Sequence, residues 1–248
     1  MTGTASTGVP TGTVIGLDPG PGGLREADHL LHALARHLSL PETAFACTHR
    51  VPDAPGRVSL SLALPDEAAA EASLDRLAAV NGSLGALPAG VRAVLGNRRL
   101  PLPDTTDGYG AAPEGWTAAR AAAAEGTART GGRAVVFPGS AGLPTVLTVG
   151  ELLERSAVTA VEVLGGTPAD PTAELDTRSH LRPEWRAGVL VLKLVLGPRG
   201  LPPLRPARPT PVLRRARLMP DESIPCARCR LTSCSGPVRT GHFRPPAA

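Results

Sequence analysis

The chain has 248 residues and a hydrophobic share of 42%, enough for one core with extensions or for two small lobes. Only six aromatic residues (Phe45, Tyr109, Trp116, Phe137, Trp185 and Phe243) contribute to that share, so the interior must be filled by Leu, Val and Ala. The net charge of +4 is split: residues 197–248 hold ten arginines against two acids, leaving 16 basic and 20 acidic residues before them. Charged residues, Pro or Gly interrupt every apolar run before the roughly 18 residues of a membrane-spanning helix, which excludes a membrane partner of that kind. The first basic residue is Arg25 and no apolar stretch precedes it, so a secretory signal is not expected and the predicted location is cytoplasmic. Cys47 stands alone in the body of the chain, and a disulfide framework is not expected in a reducing compartment.

Residues 1–23 are Gly, Thr and Pro with one acid, a composition that predicts a disordered leader. From Arg25, Ala27, Leu30, Leu31, Leu34 and Leu38 recur at helical spacing and define a first helix. Thr43 to Val51 and Arg57 to Leu64 read as two strands of a hairpin with one buried face, turning through Pro52–Gly56. Asp66 to Val80 reads as a second helix, opening on acids that suit a helix N-terminus, and Val91 to Leu95 as a third strand. The order α-β-β-α-β over residues 24–100 is compatible with a ferredoxin-like layer of helices on an antiparallel sheet. Residues 101–115, rich in Pro, Asp, Thr and Gly, read as a linker. A second α/β lobe over residues 116–196 offers a helix at Trp116 to Arg129, a β-rich run at Arg133 to Phe137, and a helix near Val149 to Ser156 with Thr148 and Glu151 at capping-box spacing. Thr159 to Leu164 and Val189 to Leu196 read as strands. The expected class is therefore α+β, helices packed on an antiparallel sheet, with a basic Pro/Arg-rich tail.

Eleven of the 27 prolines follow Gly197, which predicts an extended or disordered tail over residues 197–248. Its arginines, Arg205, Arg208, Arg214, Arg215 and Arg217 among them, are candidates for binding nucleic acid through phosphates, against the plainer reading of solvated charge. Cys226, Cys229, Cys234 and His242 form a Cys3His set of spacing C-x2-C-x4-C-x7-H, chemically suited to zinc, although the spacing matches no common zinc motif.

Ala134-Val-Val-Phe-Pro-Gly-Ser140, Thr159-Ala-Val-Glu-Val-Leu-Gly-Gly166 and His180-Leu-Arg-Pro-Glu-Trp-Arg186 resemble segments of a family of small uncharacterised actinobacterial proteins. The resemblance covers roughly residues 25–196 and implies no established activity. Members of that family end in a Pro-Phe…Pro…Cys-Cys-Ala-Asp-His type of terminus, from which this chain departs after Lys193 to Leu196. A one-nucleotide shift restores the pattern, since Pro203-Leu204-Arg205 as CCC-CTT-CGA contains CCC-TTC-GA, and Val212-Leu213-Arg214-Arg215 as GTG-CTG-CGC-CGA contains TGC-TGC-GCC-GA. The resemblance thus implies a frameshifted tail and the loss of a vicinal Cys-Cys pair, a thiol or metal site. Such reading frames include one described as a nosiheptide-resistance regulatory protein, which implies a regulatory role in antibiotic resistance.

Within the body, Phe137-Pro-Gly-Ser-Ala-Gly142 is placed to form an anion-binding turn between strand and helix, but it has no Walker lysine and no G-x-S-x-G elbow; a structural loop is the plainer reading. His29 and His32 sit three apart on the polar side of the first helix, a spacing suited to a metal. Arg25 and Arg36 share that side and favour a solvated basic face. Asp176, Arg178, His180, Arg182 and Glu184 form the densest ionisable cluster of the body, with Asp176, His180 and Glu184 as candidate acid-base residues of a small enzyme, or simply as a polar connection between strands. With no complete catalytic or cofactor motif, the preferred expectation is a cytoplasmic regulatory or interaction protein without catalytic chemistry.

Overall fold

The computed structural model describes residues 12–51, 56–80, 91–100, 113–177 and 180–195. These form an α+β protein in which ten strands join one mixed sheet, and all of them fall within one compact unit. Among the described residues no helix is long and apolar enough to cross a membrane.

The first part is β1 (Thr13–Asp18), α1 (Leu24–His37), β2 (Phe45–Arg50), β3 (Val58–Leu64), α2 (Glu67–Val80) and β4 (Arg92–Leu95). In the sheet these strands lie in the order β4-β1-β3-β2, every pair antiparallel. A βαββαβ chain with that order is the ferredoxin-like topology, as the sequence pattern suggested for this half.

β1 corrects the reading of a disordered leader over Thr13–Asp18, while residues 1–11 lie outside the described residues. The same glycines and threonines that lower the segment's average hydrophobicity flank Val14, Ile15 and Leu17, which are buried in the middle of the sheet. Gly16 is required there: a Cβ at this position would collide with the carbonyl oxygen of Ala119 and the Ala123 side chain on the helix above it.

That helix, α3 (Pro113–Ala128), also takes residues 113–115 from the predicted linker. Residues 101–112 lie outside the described set. By the two-residue alternation of β1, Ile15 and Leu17 face α1 and α2, where they pack with Leu31, Leu34, Leu60, Leu62, Leu74 and Leu77. Val14 and Gly16 face α3. The β2–β3 hairpin is consequently buried on both faces, with all seven residues of β3 inaccessible to water, rather than on the single face its alternation suggested.

β5 (Arg98–Leu100) extends one edge of the sheet beside β4. On the other side β6 (Arg133–Val136) pairs with β2 through a bulge at Ala46/Cys47. A single sheet therefore runs through both segments expected as separate lobes. β7 (Val146–Thr148) leads into α4 (Val149–Arg155), whose predicted capping box is formed: the Glu151 amide donates to Thr148 Oγ1 at 3.2 Å and the Thr148 amide to Glu151 Oε2 at 2.7 Å. β8 (Ala160–Val163), β9 (Thr167–Pro168), β10 (Glu174–Asp176), β11 (Glu184–Arg186) and β12 (Val189–Leu194) complete the chain. The sheet continues as β6-β11-β12-β8-β9, with β7 and β10 forming a separate two-stranded ribbon. The β12–β8 pair is parallel, so the sheet is mixed rather than wholly antiparallel. A second core of Phe45, Trp185, Leu152, Val161, Leu190 and Leu192 fills this half.

Candidate functional site

α1 carries Asp28, His32 and Arg36 at intervals of four, one polar stripe along the helix. Asp28 is the anchor of that stripe. Its Oδ1 accepts from Arg133 Nη2 at 2.6 Å and its Oδ2 from Arg182 Nε at 3.0 Å, so α1 is tied both to β6 and to the chain between β10 and β11. One carboxylate faces two guanidiniums, and the arrangement keeps a net positive charge in a largely buried place.

Above this triad opens a cleft of about 400 Å³. It is lined by His32, Ala35 and Arg36 of α1, by residues 135–137 at the end of β6, by Ser140, Ala141 and Leu143 of the following loop, and by Thr177 and residues 180–182. Three segments singled out separately in the sequence, the basic side of α1, the Phe137–Gly142 loop and the segment ending in His180 and Arg182, thus meet around one opening. Among the described residues no carboxylate lines it.

Arg182 is the organising side chain. Besides Asp28, it donates through Nη1 to the Leu181 carbonyl oxygen at 2.7 Å and through Nη2 to His32 Nε2 at 3.3 Å. A guanidinium has no acceptor, so His32 must accept at Nε2 and carry its proton on Nδ1. The neutral state has a physical cause. Partial burial and the adjacent Arg182 charge hold the imidazole below the ordinary histidine range, outweighing the pull of Asp28 in the other direction.

The loop after β6 is internally satisfied. The Phe137 amide donates to Ser140 Oγ at 3.2 Å, the Ser140 amide to the Phe137 carbonyl oxygen at 2.9 Å, and the Gly142 amide to the Gly139 carbonyl oxygen at 3.3 Å. Gly139 sits at φ 81°, with Arg155 and Ser156 packed against it. The turn shapes the cleft wall, but these three amides are already engaged and do not cradle an anion.

Of the candidate acid-base residues, His180 alone lines the cleft. Asp176 lies on β10 in the two-stranded ribbon, and Glu184 lies on β11 in the large sheet, where it accepts from Lys193 Nζ at 3.0 Å. Neither of these two carboxylates lines the cleft. Arg178 lies outside the described residues, as do Arg205, Arg208, Arg214, Arg215 and Arg217 and the set Cys226, Cys229, Cys234 and His242. His29 is exposed and does not line the cleft, and among the described residues no three His, Cys, Asp or Glu side chains converge as metal ligands. His32 and Arg36 had been placed on the polar side of the first helix, whereas Asp28 had not been singled out. Its partners Arg133 and Arg182 carry no local signal.

Between the sheet and α3 lies a second polar group that resembles a nucleophile and its base. His49 Nε2 stands 2.7 Å from Ser61 Oγ, with Cys47 beside Ser61 in the strand register. All three are buried, Gly126 packs on Ser61, and Gly132 packs on the imidazole. Burial pushes the Cys47 thiol up to about 12, against hydrogen bonds with Trp185 and Ser61, and pushes His49 down to about 4, against the Glu125 charge. The contact is a buried internal hydrogen bond covered by these glycines, with Arg129 lying over the neighbouring Trp185 and Phe45 rings at 4.9 and 5.6 Å.

Comparison with protein-family models, with curated proteins and with solved structures finds no match to this chain. The fold and the site define it as an α+β protein built on a ferredoxin-like core, with a cationic cleft between α1 and the end of β6.

Proposed function

We propose that the protein is a non-catalytic binding protein of a regulatory kind whose cleft takes up a small organic anion. The observation that carries this reading is the state of Arg182: Asp28, Leu181 and His32 hold it in place through three of its five N–H groups, which leaves one hydrogen on each of Nη1 and Nη2 without a partner among the described residues. A guanidinium fixed in a half-closed cleft, with Arg36 on the rim, is preorganised for an anion and loses little side-chain entropy on binding. The volume of the cleft falls in the usual range for small ligands, roughly 300 to 1,000 Å³.

A binding role accords with the lining of the cleft, which takes in His180 but neither Asp176 nor Glu184. The regulatory sense follows the absence of a complete catalytic or cofactor motif in the sequence and the likeness to reading frames that include a nosiheptide-resistance regulatory protein, and the free, buried thiol of Cys47 accords with a cytoplasmic setting. Thermal unfolding of the full chain at low salt, with and without a panel of millimolar anions, tests the reading. Binding to the folded state raises Tm by mass action, and ligand at about 100 times Kd adds roughly 2.7 kcal/mol. A Tm that responds to none of the anions contradicts it.

A further inference from the structure

We infer that the cleft selects a monocarboxylate with an apolar body, rather than a phosphate; this rests on the anion-binding reading above. Among the described residues the charge available is small. Arg133 and Arg182 share the single negative charge of Asp28, and Arg36 adds one exposed cation at the rim. His32 adds none, since it accepts from Arg182. Such a field suits one negative charge and falls short of the cations that surround a dianionic phosphate.

The backbone gives the same answer. Phosphate sites are built from free amides at the head of a glycine-rich turn. Here the turn is present, but the amides of Phe137, Ser140 and Gly142 are engaged within it. What remains at Arg182 is one hydrogen on each Nη, a pair of donors that matches the two oxygens of a planar carboxylate.

Much of the remaining lining is hydrocarbon, beside the polar side chains of Ser140, Thr177 and His180. Ala35, Val136, Phe137, Ala141, Leu143 and Leu181 supply its walls. A ligand held at Arg182 by its carboxylate would lay its remaining atoms on these side chains, and each CH₂ removed from water there contributes about 0.8 kcal/mol. Short, fully hydrated anions gain nothing from that surface.

The test is calorimetric titration of the full chain with 4-phenylbutyrate, octanoate, acetate and inorganic phosphate. Two variants accompany it: Arg36→Gln, which removes the rim charge at an exposed position, and Ala141→Phe, which fills the opening from an exposed loop position. Both long carboxylates are expected to bind about tenfold or more tightly than acetate or phosphate, which corresponds to about 1.4 kcal/mol. Arg36→Gln should weaken them by about tenfold, and Ala141→Phe should abolish their binding while Tm without ligand stays unchanged. Phosphate or acetate binding as tightly as the long carboxylates at the unmodified cleft overturns the inference and leaves the anion-binding reading standing. Failure of all four to bind overturns that reading as well. Equal binding to both variants and to the parent chain places the ligand outside the cleft and overturns both.

Discussion

Asp28 and Arg182 stand 154 residues apart in the chain, and their Oδ2 and Nε atoms lie 3.0 Å apart. The contact fixes one wall of the cleft to the helix that forms the other. Because Arg133 uses the second oxygen of the same carboxylate, removing Asp28 leaves two largely buried guanidiniums without their shared counter-charge. Asp28→Ala is expected to destabilise the fold by about 3 kcal/mol, in the range for breaking one side of a buried pair. Urea unfolding measures it, and a loss below about 1 kcal/mol contradicts the role given to Asp28.

His49 sets a pH dependence whose sign follows from its burial. In the folded chain it titrates at about 4, in the unfolded chain near the ordinary value of about 6.5, so between those limits the unfolded state binds the extra proton. The stabilisation from keeping it neutral is fully present above about pH 6.5 and is lost as pH falls toward about 4, amounting to about 3 kcal/mol at most. His32 is shifted the same way and adds to the slope, whereas Asp18, raised chiefly by burial against the pull of Arg57, the Gly20 amide and Arg92, acts in the opposite sense as pH rises from about 3.8. Denaturant midpoints at pH 7 and pH 5 should therefore differ, and His49→Gln should flatten the difference. An unchanged slope in that variant would assign it to other groups.

Cys47 offers a chemical check on the same layer. A thiol pushed up to about 12 and covered by α3 is not a thiolate at pH 8 and cannot be reached by an alkylating agent. Peptide mapping after iodoacetamide should find Cys47 unmodified in the native protein and modified only after unfolding. Rapid native labelling would show that α3 opens readily.

The seating of α3 on β1 rests on Gly16. A methyl group there meets the Ala119 carbonyl oxygen and Ala123, backbone and a short side chain that cannot swing aside. Gly16→Ala is expected to cost about 1–3 kcal/mol of stability through overpacking, and Gly16→Val more. Thermal unfolding of both variants checks the order, and a neutral Gly16→Val would contradict the packing of α3 described above.

How far these features were legible in the chain depends on the range of the interaction that makes them. α1, β3 and α4 announce themselves because leucine spacing, strict alternation and the Thr148–Glu151 cap are local signals. β1 was lost to an argument from composition, since the glycine that suggested disorder is the one that lets a helix lie on the strand. β5, β7, β9, β10 and β11 have three residues or fewer, too short for alternation to register. In the cleft, His32, Ser140, His180 and Arg182 had each been noticed, but the salt links that gather them span more than 100 residues and leave no trace in any window of sequence. The polar side of α1 read as a solvated face because its partners were unknown.

The most direct test of the cleft as a ligand site is hydrogen–deuterium exchange of the full chain with and without saturating 4-phenylbutyrate. The account predicts slowed exchange in α1, in the loop from Phe137 to Leu143 and around Leu181 and Arg182, the three segments that line the opening. Protection confined to residues 197–248, or no protection anywhere, would contradict it.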